Sequence, residues 1–375
     1  MDAESVDPLA GATIALDARL VGYAAGIARY ATLLIEALEK EEGPEQYLVL
    51  HSRRASQLAG RVCLTPPHHW LERWTLPLEL LAHAPRPTLL HSLDHVAPAW
   101  GPWRSVVTLH DLAFLLYPET HTSASRTYYA AAGESARRAA RVIAVSQRTA
   151  SDAVRLLGLD PARVRVIHHA ADPRFGPRPA GELAPLADRL GFDPDRPYVL
   201  FVGTLEPRKN VPLLFDAVAQ LRRKAALDVQ LLLVGGRGWL DAPIQAAYAR
   251  SGLGLAAHFL GWLDQADLDV LYSQARVFVL PSLYEGFGLP VLEAMACGAP
   301  VVCSNTGALP EVAGDAALLM TPYDAQTWAE AIGRVMVDSR LAADLRARGR
   351  RRVREFSWER AARATREVYR EALLA

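Results

Sequence analysis

The chain has 375 residues, of which 51% are apolar and 22% charged, with 41 Lys and Arg set against 41 Asp and Glu. That length exceeds one ordinary core and predicts two lobes of about 150 to 200 residues. The balanced charge excludes a disordered polyelectrolyte and disfavours nucleic acid as a partner. Three cysteines, Cys63, Cys297 and Cys303, form no C-x-x-C pair. They suggest neither a disulfide framework nor a zinc site and fit a cytoplasmic location.

The N-terminal MDAESVDPLAGATIALDARL begins acidic and lacks the basic segment of a secretory signal. No apolar run reaches the roughly 18 residues a membrane-spanning helix needs, so a soluble or peripheral protein is expected. Strand-like runs at 12–18, 47–52, 88–92, 105–111, 141–146 and 164–169 alternate with helix-period segments, notably 27–40 and 124–140. A Pro-rich passage at 172–195 carries little strand signal and reads as a linker. The strand pattern restarts at 198–203, 229–235, 257–262, 276–282 and 300–305. The predicted fold class is therefore α/β, with two Rossmann-like, doubly wound parallel-sheet lobes. The expected boundaries are a lobe at 1–175, a linker at 176–195, a lobe at 196–357 and an amphipathic helix at 358–375 packing across the lobes. Such sheets bind ligands at their carboxyl ends, which predicts a cleft between the lobes.

The richest stretch is RVFVLPSLYEGFGLPVLEAMACGAPVVCS, 276–304. Pro290 suits a helix start and Gly298 its end. Glu285 then sits on the loop after a strand and Glu293 early in the helix, while the amides of Gly286, Phe287, Gly288 and Leu289 face an anion or sugar hydroxyls. Carboxylates at that place suit ribose and sugar hydroxyls, to which they only accept hydrogen bonds. In YVLFVGTLEPRKN, 198–210, Gly203 and Thr204 lead into Arg208 and Lys209, a diphosphate clamp before a helix. Lys40, Lys209 and Lys224 are the only lysines of the chain, so a retained lysine in that turn is informative. His110 closes a predicted strand, placed for acid/base work or a sugar contact. Each has a plainer role open to it: a solvated loop for Glu285, dipole complement for Glu293, a surface turn for Arg208 and Lys209, a structural histidine for His110.

Other chemistries lose support. Gly22 and Gly26 follow the first strand without G-x-G-x-x-G or Walker spacing, against NAD or ATP chemistry. No H-E-x-x-H or G-x-S-x-G occurs, and the D-x-D patterns at 193–195 and 267–269 read as caps and solvated acids.

Together these residues resemble the retaining glycosyltransferases of family 4, which have the GT-B fold. The matching elements are GIARY from Gly26, HDLAF (110–114), VIAVSQRTASD (142–152), GTLEPRKN (203–210), GGRGW (235–239) and EGFGLPVLEAMACGAPVV (285–302). The Glu-x7-Glu pair, Glu285 and Glu293, is the most specific. The resemblance implies that Arg208 and Lys209 hold a donor diphosphate, Glu293 the ribose, Glu285 and the Gly286–Leu289 amides the donor sugar, and His110 the region of the reacting carbon. It places Gly26 near phosphate and acceptor, and the Leu263 backbone at the base. It implies front-face attack with retention, the leaving phosphate helping to take the acceptor's proton, and no metal or other cofactor beyond a GDP- or UDP-linked sugar substrate. Two departures stand out: Thr204 where many relatives carry Arg, and His168-His169-Ala170-Ala171 at the hinge. DAR (17–19) with GTLEPRKN looks most like mannosyl- or rhamnosyl-type transferases of polysaccharide assembly, which implies GDP-mannose.

Two rivals remain at this point: a GT-B phosphorylase or epimerase, with Lys209 as the cofactor lysine of the former, and a non-catalytic GT-B partner of a polysaccharide complex. The implied acceptor is a saccharide or a lipid-linked one, its pocket expected in loops 64–76, with Trp70 and Trp74, and 91–104, with Trp100 and Trp103. Arg126, Arg137, Arg138 and Arg141 beside Tyr128 and Tyr129 offer a peripheral membrane face, with an ordinary solvated helix as the alternative.

Overall fold

The computed structural model describes residues 7–22, 25–55, 58–69, 71–82, 84–224 and 227–375; Trp70 lies outside them. The chain forms two compact units. The first holds residues up to Leu116 with Ser123–His169 and Ser357–Ala375; the second holds Tyr117–Thr122 and Ala170–Phe356.

The first unit runs β1 (Thr13–Asp17), α1 (Ala25–Lys40), β2 (Gln46–His51), β3 (Arg61–Val62), α2 (Glu72–Ala82), β4 (Leu89–Ser92), β5 (Arg104–Leu109), α3 (Ala113–Leu116), α4 (Ser123–Arg138), β6 (Arg141–Ala144), α5 (Gln147–Leu157) and β7 (Val164–Val166). Its strands form one parallel sheet in the order β3-β2-β1-β4-β5-β6-β7. The second unit begins with α6 (Leu183–Leu190), β8 (Tyr198–Val202), α7 (Val211–Lys224), β9 (Gln230–Val234), α8 (Ala242–Ser251), β10 (Ala257–Gly261) and α9 (Gln265–Gln274). It continues with β11 (Val277–Leu280), α10 (Leu289–Ala296), β12 (Val301–Ser304), α11 (Leu309–Ala313), β13 (Ala317–Met320), α12 (Ala325–Val337) and α13 (Ser339–Val353). Its sheet is also parallel, ordered β10-β9-β8-β11-β12-β13. Strands such as β4 and β11 are buried along their whole length, as helices on both faces require. In each sheet the order reverses once, between β1 and β4 and between β8 and β11, and the diverging loops there open a crevice at the carboxyl ends.

Three expectations are corrected. Segment 176–195 is no free linker: α6 buries Leu183, Leu186 and Ala187 on one helical face, and Phe192 follows. Asp269 on α9 is no solvated acid but buried, 3.1 Å from Arg178 of that same segment. Trp103, expected beside an acceptor pocket, belongs to the buried core with Leu50, Leu76, Leu80 and Leu90. On the helix read as a possible membrane face, Tyr128 and Tyr129 are half-buried against His68, His95 and Phe114 and Arg141 pairs with Glu371, while Arg126, Arg137 and Arg138 are exposed. The C-terminal helix α14 (Trp358–Leu374) lies in the first unit, against α1 and the β4–β6 part of its sheet. Its apolar stripe buries Val368, Tyr369 and Ala372, and Arg366 pairs with Glu45 at 2.5 Å.

Candidate active site

The loop leaving β8 is zipped to the loop leaving β9. The Gly203 amide donates to Val234 and the Leu205 amide to Gly236, at 2.8 and 3.0 Å. A Cβ on Gly235 would lie 2.1 Å from the Gly203 oxygen, so only glycine permits this approach. One 3-10 turn, Pro207–Lys209, ends at Asn210 in the left-handed region, φ 54°. The Asn210 side-chain amide donates to the Pro281 and Pro322 carbonyls at 3.3 and 2.8 Å, which turns Arg208 and Lys209 toward the loop after β11.

There they meet Glu285. Lys209 Nζ donates to its Oε1 at 2.6 Å, Ser282 Oγ to the same oxygen at 2.6 Å, and Arg208 Nη1 to its Oε2 at 3.2 Å. Arg208 also donates to Glu206 Oε1 and the Tyr284 carbonyl, both at 2.8 Å. Glu285 is only 7% exposed and Glu206 3%, so neither the solvated-loop nor the surface-turn reading survives. Burial by itself would raise the Glu285 pKa, but Lys209 and then Arg208 outweigh it and hold the carboxyl below its ordinary value. Two cations thus face two carboxylates, a locally neutral cluster whose charges are preorganised rather than solvated.

The backbone of Glu285 is gripped from behind. A Cβ on Gly307, at φ +60°, would stand 2.5 Å from the Glu285 oxygen, and the Ala308 amide donates to that oxygen at 2.9 Å. Gly288, in the left-handed region, leads into α10, with Pro290 in its first turn. Glu293 is 2% exposed and accepts from Tyr272 Oη at 3.1 Å, so it is an inward-facing group and no mere dipole complement. The Phe287 ring packs edge-on against Phe356. Leu263 is buried just beyond Gly261, whose carbonyl accepts from the Gly235 amide at 2.7 Å. Thr204 lies in the zipped loop, and Arg237 opposite it is an exposed cation.

His110 and Gly26 belong to the first unit. His110 Nε2 donates to the Leu93 carbonyl at 2.8 Å, which leaves Nδ1 as the acceptor of a neutral ring. Burial, followed by the charge of His95, lowers its pKa to about 4. The edge of Tyr30 meets the His110 ring at 4.8 Å, and Tyr30 Oη stands 3.0 Å from Thr108 Oγ1. From Thr108 the ladder continues to His91 Nε2 at 2.8 Å, and from His91 Nδ1 to Tyr369 Oη of α14 at 2.7 Å. Gly26 is exposed in the first turn of α1, with open space where a Cβ would stand.

Sequence reasoning missed Glu206, Tyr272, Ser282 and Gly307. Glu206 and Ser282 lie inside stretches already singled out; Tyr272 and Gly307 come from α9 and the loop after β12, which carry no motif.

Two doubly wound parallel sheets of this kind place the protein among the GT-B glycosyltransferases. The chain belongs to glycosyltransferase family 4: residues 24–175 match "Glycosyltransferase Family 4" and residues 186–352 match "Glycosyl transferases group 1". It is 33% identical over 329 residues to O-antigen chain mannosyltransferase B of Escherichia coli, covering 87% of this chain and 79% of that one. It is 32% identical to the D-inositol 3-phosphate glycosyltransferase of Salinispora arenicola over 367 residues, covering 90% and 76%. Among solved structures, Anabaena Alr3699/HepE in complex with UDP and glucose superposes with a TM-score of 0.78 at 22% identity, over 96% of this chain and 99% of that one. The sucrose-phosphate synthase of Thermosynechococcus elongatus gives 0.77 at 26% identity, over 96% and 98%.

Proposed function

We propose that this glycosyltransferase moves a hexosyl group, mannosyl in preference, from a nucleoside-diphosphate sugar to a saccharide or lipid-linked acceptor in polysaccharide assembly, with retention at the anomeric carbon. The observation that carries the reading is the Arg208–Lys209–Glu285–Glu206 cluster at the β8/β11 switch point. A diphosphate leaving group needs fixed positive charge where its own charge develops, and two half-buried cations held by carboxylates supply it without reorganising solvent. Glu285 and Glu293 accept hydrogen bonds from sugar and ribose hydroxyls, and neutral His110 offers Nδ1 to a hydroxyl. In this reading the leaving phosphate takes the acceptor's proton and no metal is called for. Mannosyl transfer is favoured by the Escherichia coli relative, and a lipid-linked acceptor would bring the enzyme to the cytoplasmic face of a membrane. Among the described residues no helix is long and apolar enough to cross one.

Calorimetric titration of GDP, UDP and ADP, with Lys209→Ala and Glu293→Ala alongside, tests the donor. Selective binding of GDP that both variants weaken is expected; folded protein that binds none of the three would overturn the reading. The anomeric configuration of the product, read by NMR, decides retention.

A further inference from the structure

The first sheet has a switch point of its own, and the donor reading leaves it unused. β1 and β4 pair there with Asp17 opposite Ser92. Beyond their carboxyl ends lies a small, open-mouthed pocket with Asp17, Arg19, Glu72, Ser92, Asp94 and Tyr128 on its wall. Its base has room for about one water-sized group.

The charges in this pocket are arranged unlike those of a phosphate site. Arg19 donates from Nε and Nη2 to the two oxygens of Asp17, both at 2.8 Å, from Nη1 to the Thr65 carbonyl at 3.1 Å, and from Nη2 to Glu72 at 3.4 Å. Those contacts use four of the five N–H donors of a guanidinium. Glu72 also accepts from Tyr128 Oη and, at 3.1 Å, from the His68 amide. Asp94 is taken up by His95 Nδ1 at 2.5 Å and His68 Nε2 at 3.3 Å. Asp17 is thus paired with Arg19 and Asp94 with His95, which leaves Glu72 as the carboxylate in excess, and an entering anion meets its charge. Ser92 Oγ is the exception to this satisfaction: the side chain is 1% exposed and its hydroxyl has no hydrogen-bond partner. A buried hydroxyl left unpaired is costly, and a ligand hydroxyl at the base of the pocket supplies the missing partner. Carboxylates only accept, so the occupant must bring O–H donors and no negative charge.

We infer that this pocket receives a hydroxyl or hydroxymethyl arm of a neutral sugar at the accepting end of the substrate, held by Ser92 and Glu72, and that it rejects an acceptor carrying phosphate there. The inference rests on the glycosyltransferase reading and names the acceptor class of that enzyme.

Saturation-transfer NMR with methyl α-mannopyranoside, and with D-inositol 3-phosphate as competitor, tests it on the full chain, next to nucleotide titration of the same samples. Saturable glycoside binding is expected, weakened about fivefold or more in Ser92→Ala and in Glu72→Gln. Inositol phosphate should not compete, and nucleotide affinity should stay as in the parent protein. Ser92→Ala should melt at the same or a higher temperature, because it deletes an unsatisfied buried group; a purely structural serine would melt lower. Glycoside binding that is absent, that is equal in both variants, or that inositol phosphate displaces would overturn the inference, the first two leaving a pocket for bound water only. Failure of nucleotide binding would instead sink the donor reading, while the glycoside result would still decide the pocket.

Discussion

At the switch point of the second sheet, Arg208 and Lys209 face Glu206 and Glu285, and every charge has a counterpart. At the switch point of the first sheet, Arg19 pairs with Asp17 and His95 with Asp94, Glu72 is the carboxylate in excess, and Ser92 presents an unpaired hydroxyl. The two sheets reverse strand order in the same way, so the topology supplies a crevice in each and says nothing of what enters it. The loops decide that. A balanced cation pair suits a leaving group that gains charge; a carboxylate-rich wall suits a neutral polyol.

The test with the largest expected effect is Lys209→Ala. It strips buried Glu285 of its shortest cationic contact and removes one of the two charges offered to a leaving diphosphate, and the loss of such a preorganised contact costs roughly a hundredfold in kcat. Lys209→Arg should recover part of this in the same assay. If the alanine variant keeps full turnover, the contrast between the two crevices has no catalytic meaning. Glu285→Gln sharpens the contrast from the other side. It removes the acceptor of both cations, so calorimetry should show nucleotide affinity kept or improved while sugar transfer falls about a hundredfold. Gly307→Ala forces a side chain against the Glu285 backbone at positive φ, and thermal melts should show a loss of about 1–3 kcal/mol, with transfer damaged more than nucleotide binding.

Smaller effects come from the first unit. The pKa of His110 is depressed to about 4, below its ordinary 6.5 in the unfolded chain. The unfolded state binds the proton more readily between these values, so the stability this group contributes is present above about pH 6.5 and lost as pH falls through about 4. Its ring resonances should therefore not titrate between about pH 8 and 5, and His110→Gln should flatten the stability profile below about pH 6.5. A ring that titrates near 6.5 would return His110 to an ordinary solvated histidine. Tyr369→Phe removes one rung of the ladder behind Tyr30 and His110; about 1 kcal/mol of stability should go with it, measured by denaturant midpoint.

Much of this was legible in the primary structure because parallel strands buried on both faces must be written as continuous apolar runs, and eleven of the thirteen strands described were read from such runs; the two-residue β3 and the half-buried edge strand β13 were not. Glu285, Glu293, Arg208 and Lys209 were legible as well, since a strand end, a glycine turn and a helix start are local signals. What was not legible depended on partners distant in the chain. Prolines in 176–195 announced a break, but the Leu183–Leu186–Ala187 face is helical only because α9 and Arg178–Asp269 give it something to pack on. Trp103 looked like a pocket aromatic until Leu50, Leu80 and Leu90 closed around it.

The amino-acid sequence by itself determined the strands other than β3 and β13, the order of the motifs and the residue types at the ends of β8 and β11, because each follows from hydrophobic period and turn chemistry within a few residues. Only the tertiary structure decided that Glu285 is ion-paired rather than solvated, that Gly307 presses on its backbone, and that Ser92 lies beside Asp17 with its hydroxyl unpaired. Those facts depend on which strands become neighbours. Pairing of β1 with β4 and of β8 with β11 is set by burying two whole sheets at once, a condition that no short stretch of sequence contains.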